Sequence, residues 1–138
     1  MKLNPYLSFD GHCREAFEFY QKTFAGQISF IQTIGESPMA PSMPPESHGR
    51  VMHVTLDIGD QVLQGADDPS GQFSKPAGFA VALHFDDVVE GRRVFDTLAQ
   101  QGTVQMPFQE TFWTRGFGMV IDQFGTPWVI NTDQGTGA

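Results

Sequence analysis

The stretch Gln105-Met-Pro-Phe-Gln-Glu-Thr-Phe-Trp-Thr-Arg-Gly-Phe-Gly-Met-Val-Ile-Asp-Gln-Phe-Gly-Thr-Pro-Trp-Val-Ile-Asn131 decides how the rest of the chain is read. Phe117 to Ile121 alternates like a strand. Asp122-Gln-Phe-Gly125 is a turn in which Gly125 supplies the positive φ, and Thr126 to Asn131 is the returning strand, so the stretch predicts an antiparallel hairpin. The segment before it, Phe108 to Arg115, is too polar for a core strand throughout and too aromatic for a solvated loop. Such a composition marks the edge of a pocket or an interface.

Working back from this hairpin, the same order of elements is found twice. Leu3 to Phe9 reads as a strand, and Asp10-Gly11 breaks it and is placed to cap a helix over Cys13 to Phe24, with Ala16, Phe17, Tyr20 and Phe24 at helical spacing. Gln27 to Ile34 is a strand. Gly35 to Gly49 holds Pro38, Pro41, Pro44 and Pro45 with Met39 and Met43, and is expected to be irregular. Arg50 to Ile58 and Gln61 to Gly65 form a hairpin about Gly59-Asp60, with Met52, Val54, Leu56 and Ile58 on one face and Val51, His53, Thr55 and Asp57 on the other. Asp67 to Gly78 reads as a linker. Then Phe79 to Phe85 is a strand, Asp86-Asp87 a capping pair and Val88 to Gln101 a helix carrying Val94, Phe95 and Leu98 on its apolar side.

Leu7, Phe9-Asp10, Phe19 and Gly26 recur as Leu83, Phe85-Asp86, Phe95 and Gly102, all at an offset of 76. Gly26 and Gly102 are expected to stop their helices with positive φ. The chain therefore predicts a single α+β domain, 1–138, of two βαβββ repeats at about 3–65 and 79–132, each with one helix over one face of its sheet. The apolar sets facing the helices are Leu7 and Phe9, and Val81, Leu83 and Phe85; the other face is left concave.

Composition excludes several classes. A chain of 138 residues with 40% hydrophobic content can bury a core. No apolar run reaches the ~20 residues of a membrane helix and Met1 to Pro5 lacks a signal-peptide core, so a cytoplasmic protein with no membrane partner is expected. The lone Cys13 permits no internal disulfide. A net charge of −8 and a pI near 4.7 repel phosphate backbones, so no nucleic-acid partner is expected. The chain has no G-x-G-x-x-G after a strand, no P-loop, no G-x-S-x-G and no H-E-x-x-H.

The chain also resembles a known family, through Pro5-Tyr-Leu-Ser-Phe-Asp-Gly11, Cys13-Arg-Glu-Ala-Phe-Glu-Phe-Tyr20, Gly35-Glu-Ser-Pro-Met39, Met52-His53, Gly59-Asp-Gln-Val-Leu63, Phe117-Gly-Met119 and Phe124-Gly-Thr-Pro-Trp128. The most specific of these blocks is Met106-Pro-Phe-Gln-Glu-Thr-Phe-Trp113. These resemble the PhnB-like branch of the glyoxalase/bleomycin resistance/dioxygenase, or vicinal oxygen chelate, superfamily. The resemblance implies paired βαβββ modules in a barrel-like concave mixed sheet with helices outside, a homodimer, and a cavity for a small molecule. The superfamily's metal-ligand positions would fall on Asn4, Gln64, Ala80 and Val129, and Ala and Val cannot ligate, so no cofactor is expected. A divalent metal belongs to the alternative reading.

The site candidates follow. His53 and His84 are expected on the concave faces, as general bases, as displaced metal ligands, or simply as hydrogen-bonded cavity histidines. Glu110, among Phe108, Phe112 and Trp113, is a candidate acid-base group if buried, or an ion-pair partner of Arg115. Tyr6, Ser8, Gln64, Trp113, Arg115 and Trp128 are the ligand-binding candidates, the large aromatics having plain core packing as their other reading. His12 and His48 are expected to be exposed and silent. His53, His84, Trp113 and Glu110 are expected to converge on one pocket. Two functions fit: a module that binds a small aromatic or hydrophobic molecule, or a metal-dependent lyase, isomerase or dioxygenase using His53, His84 and Glu110.

Overall fold

The protein is described by a computed structural model, covering residues 1–133. The chain divides into two compact units, 1–74 and 75–138. The first comprises β1 (Tyr6–Phe9), α1 (Cys13–Phe24), β2 (Gln27–Thr33), β3 (Val51–Ile58) and β4 (Gln61–Asp67). The second comprises β5 (Val81–Phe85), α2 (Val88–Ala99), β6 (Thr103–Gln109), β7 (Phe117–Ile121) and β8 (Pro127–Thr132). Each unit is thus βαβββ, and the two sheets have equivalent orders, β1-β4-β3-β2 and β5-β8-β7-β6. In each, the first and last strands pair in parallel and the other pairs are antiparallel. The fold class is α+β, with mixed sheets that are open rather than closed into barrels.

Each helix buries its stripe on its own sheet. In the first unit Cys13, Ala16, Phe17 and Tyr20, at the i, i+3, i+4, i+7 spacing, pack with Leu7, Phe9, Val54, Leu56 and Leu63. In the second, Val94, Phe95 and Leu98 join Phe108, Val120, Trp128 and Ile130. Val81, Leu83 and Phe85 are only half-buried, as is Phe19, the counterpart of fully packed Phe95. Removing these apolar faces from water is the main driving force for each unit.

Several boundaries and roles differ from the sequence reading. β1 begins at Tyr6, because Pro5 has no N–H to donate and offers only its carbonyl, to the Gln64 N–H. The prolyl loop after β2 contains two short 3-10 turns, Ala40–Ser42 and Pro45–Ser47. It is braced by His48, whose Nε2 lies 3.0 Å from the Ala40 carbonyl and 3.1 Å from that of Met43. His48 is therefore half-buried and structural rather than exposed.

Alternation along β3 breaks at Met52. Gln32 pairs with His53 and Thr33 with Val51, so β3 carries one extra residue there. The bulge sends Val51 into the core and Met52 to the face away from the helix, the reverse of their expected sides.

Helix caps also differ. Asp10 does not cap α1. Asp67, from the end of β4, accepts the N–H groups of Gly11 at 2.8 Å and Cys13 at 3.1 Å, and its other oxygen takes that of Val51 at 2.8 Å. This buried carboxylate satisfies the helix N-terminus from across the sheet, and extends β4 to residue 67. In the second unit Asp87 does cap α2, accepting from Val89.

At the C-termini, the left-handed residues are Ala25, at φ 54°, and Gln101, at φ 58°, not Gly26 and Gly102. The glycines are needed for a different reason. A Cβ on Gly26 would lie 2.7 Å from the Asp57 carbonyl oxygen, and one on Gly102 would lie 2.4 Å from that of Ile121. Each glycine precedes the first residue of β2 or β6 and lets that strand close on β3 or β7. Gly125 takes φ 94° in the β7–β8 turn, as expected.

Candidate functional site

Residues paired in register across neighbouring strands share a face. Tyr6 is opposite Gln64, Gln64 opposite Thr55, and Thr55 opposite Phe30, a row on the face of the first sheet that α1 leaves uncovered. Ser8 and Ala66 form the next row. At this end of the sheet lies a cavity of about 350 Å³, lined by Tyr6, Ser8, Ile34, Met39, Met52, Ala66, Asp67, Asp68 and Pro69. Met52 is there because of the bulge, Met39 because the prolyl loop carries it in. Neither assignment was available from periodicity.

His53 stands beside the cavity through Tyr6. Its Nδ1 lies 3.2 Å from the Tyr6 hydroxyl and its Nε2 3.1 Å from that of Thr55. In either neutral tautomer the ring donates at one nitrogen and accepts at the other, so it joins the two hydroxyls in one chain. The ring centroids of Tyr6 and Phe30 lie 5.7 and 5.9 Å from that of His53, which makes an aromatic strip along the open face. Partial burial pushes the Tyr6 hydroxyl above its ordinary pKa. Burial raises the Cys13 thiol further, aided by Asp67. The phenol is a neutral hydrogen-bonding group here, and Cys13, packed in the core, is no nucleophile.

The second unit arranges its candidates differently. His84 is on the open face of its sheet, opposite Asn131, which is in turn opposite Phe117. Its Nε2 lies 3.0 Å from an Asp133 carboxylate oxygen, and both side chains are more than half exposed. Asp86 adds a third ligand atom, all three lying within 4.8 Å of one another. Trp113 packs edge-on against Phe112 and Phe117, at 4.8 and 5.4 Å.

Three expectations are corrected here. Glu110 is exposed, with Phe112 open to solvent and Trp113 39% exposed, so the aromatic burial invoked for it is absent. The loop from 110 to 116 is tied down by buried Thr114, whose hydroxyl donates to the Thr132 carbonyl at 2.8 Å. Nor does Glu110 pair with Arg115: among the described residues the ion pairs are Arg50–Asp10, His84–Asp133 and Arg93–Glu90. Trp128 is fully buried and its indole N–H donates to Asp122 at 2.9 Å, which makes it core and removes it as a stacking platform. Arg115 is exposed, its backbone N–H donating to the Asp133 carbonyl.

Gln64 shares the open face with Tyr6 without lining the cavity. His12 is exposed, as expected. Of the two candidate groups, Tyr6, Ser8, Gln64 and His53 lie in the first unit, and His84, Glu110, Trp113, Arg115 and Trp128 in the second.

At the four positions to which the resemblance would assign a metal, Ala80 and Val129 carry no ligand atom and Asn4 and Gln64 carry only neutral amides, a set that does not fit a divalent ion.

The fold is that of the glyoxalase/bleomycin resistance/dioxygenase superfamily. The chain belongs to its PhnB-like family: the family model, which carries the description 3-demethylubiquinone-9 3-methyltransferase, matches residues 1–131. It is 39% identical to protein YjdN of Escherichia coli (strain K12) over 95% of both chains. The crystal structure of protein PA1353 from Pseudomonas aeruginosa superposes with a TM-score of 0.89 at 35% identity, covering 98% of this chain and 99% of the other. A Bacillus cereus PhnB protein has the same fold, with a TM-score of 0.79 at 24% identity over 96% and 99% of the two chains. No helix among the described residues is long and apolar enough to cross a membrane.

Proposed function

We propose that this chain is a binding module that holds a small aromatic or hydrophobic molecule in the cavity of its first unit, without the superfamily's usual metal. The carrying observation is the cavity itself. Its volume of about 350 Å³ falls within the ~300–1,000 Å³ of small-molecule sites, and Ile34, Met39, Met52, Ala66 and Pro69 give it apolar walls. Two hydroxyls, of Tyr6 and Ser8, supply the few polar contacts that orient a ligand. The family description names a methyltransferase, but the turns from β1 to α1 and from β5 to α2 lack the glycine-rich fingerprint of a dinucleotide-type cofactor site.

The test is binding of naphthalene, followed by amide NMR shifts at Ser8, Met52 and Ala66. Ala66→Phe, which fills the cavity, should abolish it. Unchanged naphthalene binding by Ala66→Phe would refute the reading. Mass spectrometry of molecules released from the native protein then identifies the natural ligand.

We also infer a homodimer, supported by the exposed apolar side chains of Val104, Met106, Phe112 and Trp113 on and beside the edge strand β6. Light scattering should give twice the chain mass.

The cluster of His84, Asp86 and Asp133 favours a second reading, a metal-dependent lyase, isomerase or dioxygenase whose ion is held within the second unit. Near-stoichiometric zinc, nickel, manganese or iron in untagged protein would select it over the binding module.

A further inference from the structure

The cavity's charge environment restricts what can occupy it. None of its nine lining residues is Lys, Arg or His, and two are aspartates. Asp67 accepts three backbone N–H bonds, an acceptor-only arrangement that suits an anion. At Asp68 the hydroxyl of Ser70, at 2.6 Å, and its N–H, at 2.7 Å, donate to one carboxylate oxygen and hold the carboxyl below its ordinary pKa. The cation tied to this rim is Arg50, and its guanidinium is committed. One nitrogen donates to the Asp68 carbonyl and another to the Asp10 carboxylate, each at 3.0 Å. The first unit as a whole carries four Lys and Arg against nine Asp and Glu.

We propose that this cavity selects uncharged or cationic ligands and rejects those bearing a carboxylate, phosphate or phosphonate. The proposal rests on the reading of the cavity as a ligand site. An anionic group entering here gives up water, finds no cation among the lining residues, and faces two fixed carboxylates across mainly apolar walls. A hydroxyl or carbonyl group is served instead by the hydroxyls of Tyr6 and Ser8, the first already backed by His53. A ligand ammonium gains the field of Asp68.

Three probes of one shape separate the cases: benzyl alcohol, benzylamine and benzoate, each titrated into the full chain while the amide resonances of Ser8, Met52 and Ala66 are followed. Benzylamine and benzyl alcohol should each bind at least ~10-fold tighter than benzoate, the effect of a single like-charge encounter near a protein surface. The benzylamine-to-benzoate ratio should fall severalfold in Asp68→Asn, and also on raising salt from ~0.05 to ~0.5 M, since rim charges are screened. Benzoate binding as tightly as benzyl alcohol overturns the proposal while leaving the cavity reading intact. If none of the three probes shifts these amides, the cavity reading fails and the charge selectivity falls with it.

Discussion

Replacing Gly102 by alanine tests how these units are locked. The added Cβ would sit 2.4 Å from the Ile121 carbonyl oxygen and 3.1 Å from Asp122 Cα, where real Cβ atoms keep at least 3.0 Å from any neighbour. Relief requires a displacement of roughly 0.6 Å, and both partners are backbone, so no side chain can swing away. Because Thr103 pairs with Ile121, the shift comes out of the β6–β7 ladder. Overpacking of this kind costs about 1–3 kcal/mol, and the rigidity of the partner places Gly102→Ala near the top of that range. Gly26→Ala should cost less, about 2 kcal/mol, since its 2.7 Å approach to Asp57 is milder and Leu56 Cδ1, at 3.0 Å, can rotate.

Gln101→Gly is the control. It frees a left-handed residue from a strain of ~1–2 kcal/mol but adds ~0.5–1 kcal/mol of chain entropy to lose, so its net effect should be neutral to slightly stabilising. Guanidinium chloride unfolding with matched m-values measures all three. Gly102→Ala within ~0.5 kcal/mol of the parent, or Gln101→Gly costing more than Gly102→Ala, would show that the helix ends depend on φ rather than on close approach.

Other outcomes are expected. Asp67→Ala strands three backbone N–H groups, two of them at the start of α1, and should cost at least ~3 kcal/mol in the same assay. Trp128→Phe leaves the buried Asp122 oxygen without its indole donor and should cost ~1–3 kcal/mol, whereas Trp113→Phe, on an exposed ring, should change stability by less than ~1 kcal/mol. The folded pKa of Cys13 lies above its ordinary value of 9.0. Its contribution to stability is therefore complete below that value and is lost as the pH rises past it, because the unfolded thiol ionises first. The parent should lose up to ~1.4 kcal/mol per pH unit more than Cys13→Ala between pH 9.5 and about 10.5. By the same burial, native Cys13 should resist iodoacetamide at about pH 8 and react only on unfolding.

Much of the fold was legible because its determinants are local. The apolar spacing of Cys13 to Phe24 and Val88 to Gln101 names two helices whatever they pack against, the second ending two residues earlier at Ala99, and Asp122 to Gly125 encodes its turn within four residues. The repeat at an offset of 76 follows from the same local signals, and it correctly placed His84 on the face away from the helix. Glycine at 26 and 102 was also a true signal. Its cause was not readable, since the clash it avoids is with a carbonyl thirty-one residues away in one unit and nineteen in the other.

What only the tertiary structure decided lies where a second strand or a distant side chain intervenes. A bulge exists only relative to a partner, so the side of the sheet to which Val51 and Met52 point depended on the register of β2. Asp10 and Asp67 are equally good caps by composition, and the parallel pairing of β1 with β4 chose Asp67. Trp128 and Trp113 are the same residue type in the same aromatic stretch. One is bound in the core by Asp122 and the other left on an open ring cluster, a distinction made by which side of β8 meets α2. The cavity arises where the prolyl loop brings Met39 to the end of the first sheet, over β1, β3 and β4, and no periodicity within any one of these segments specifies a space between them.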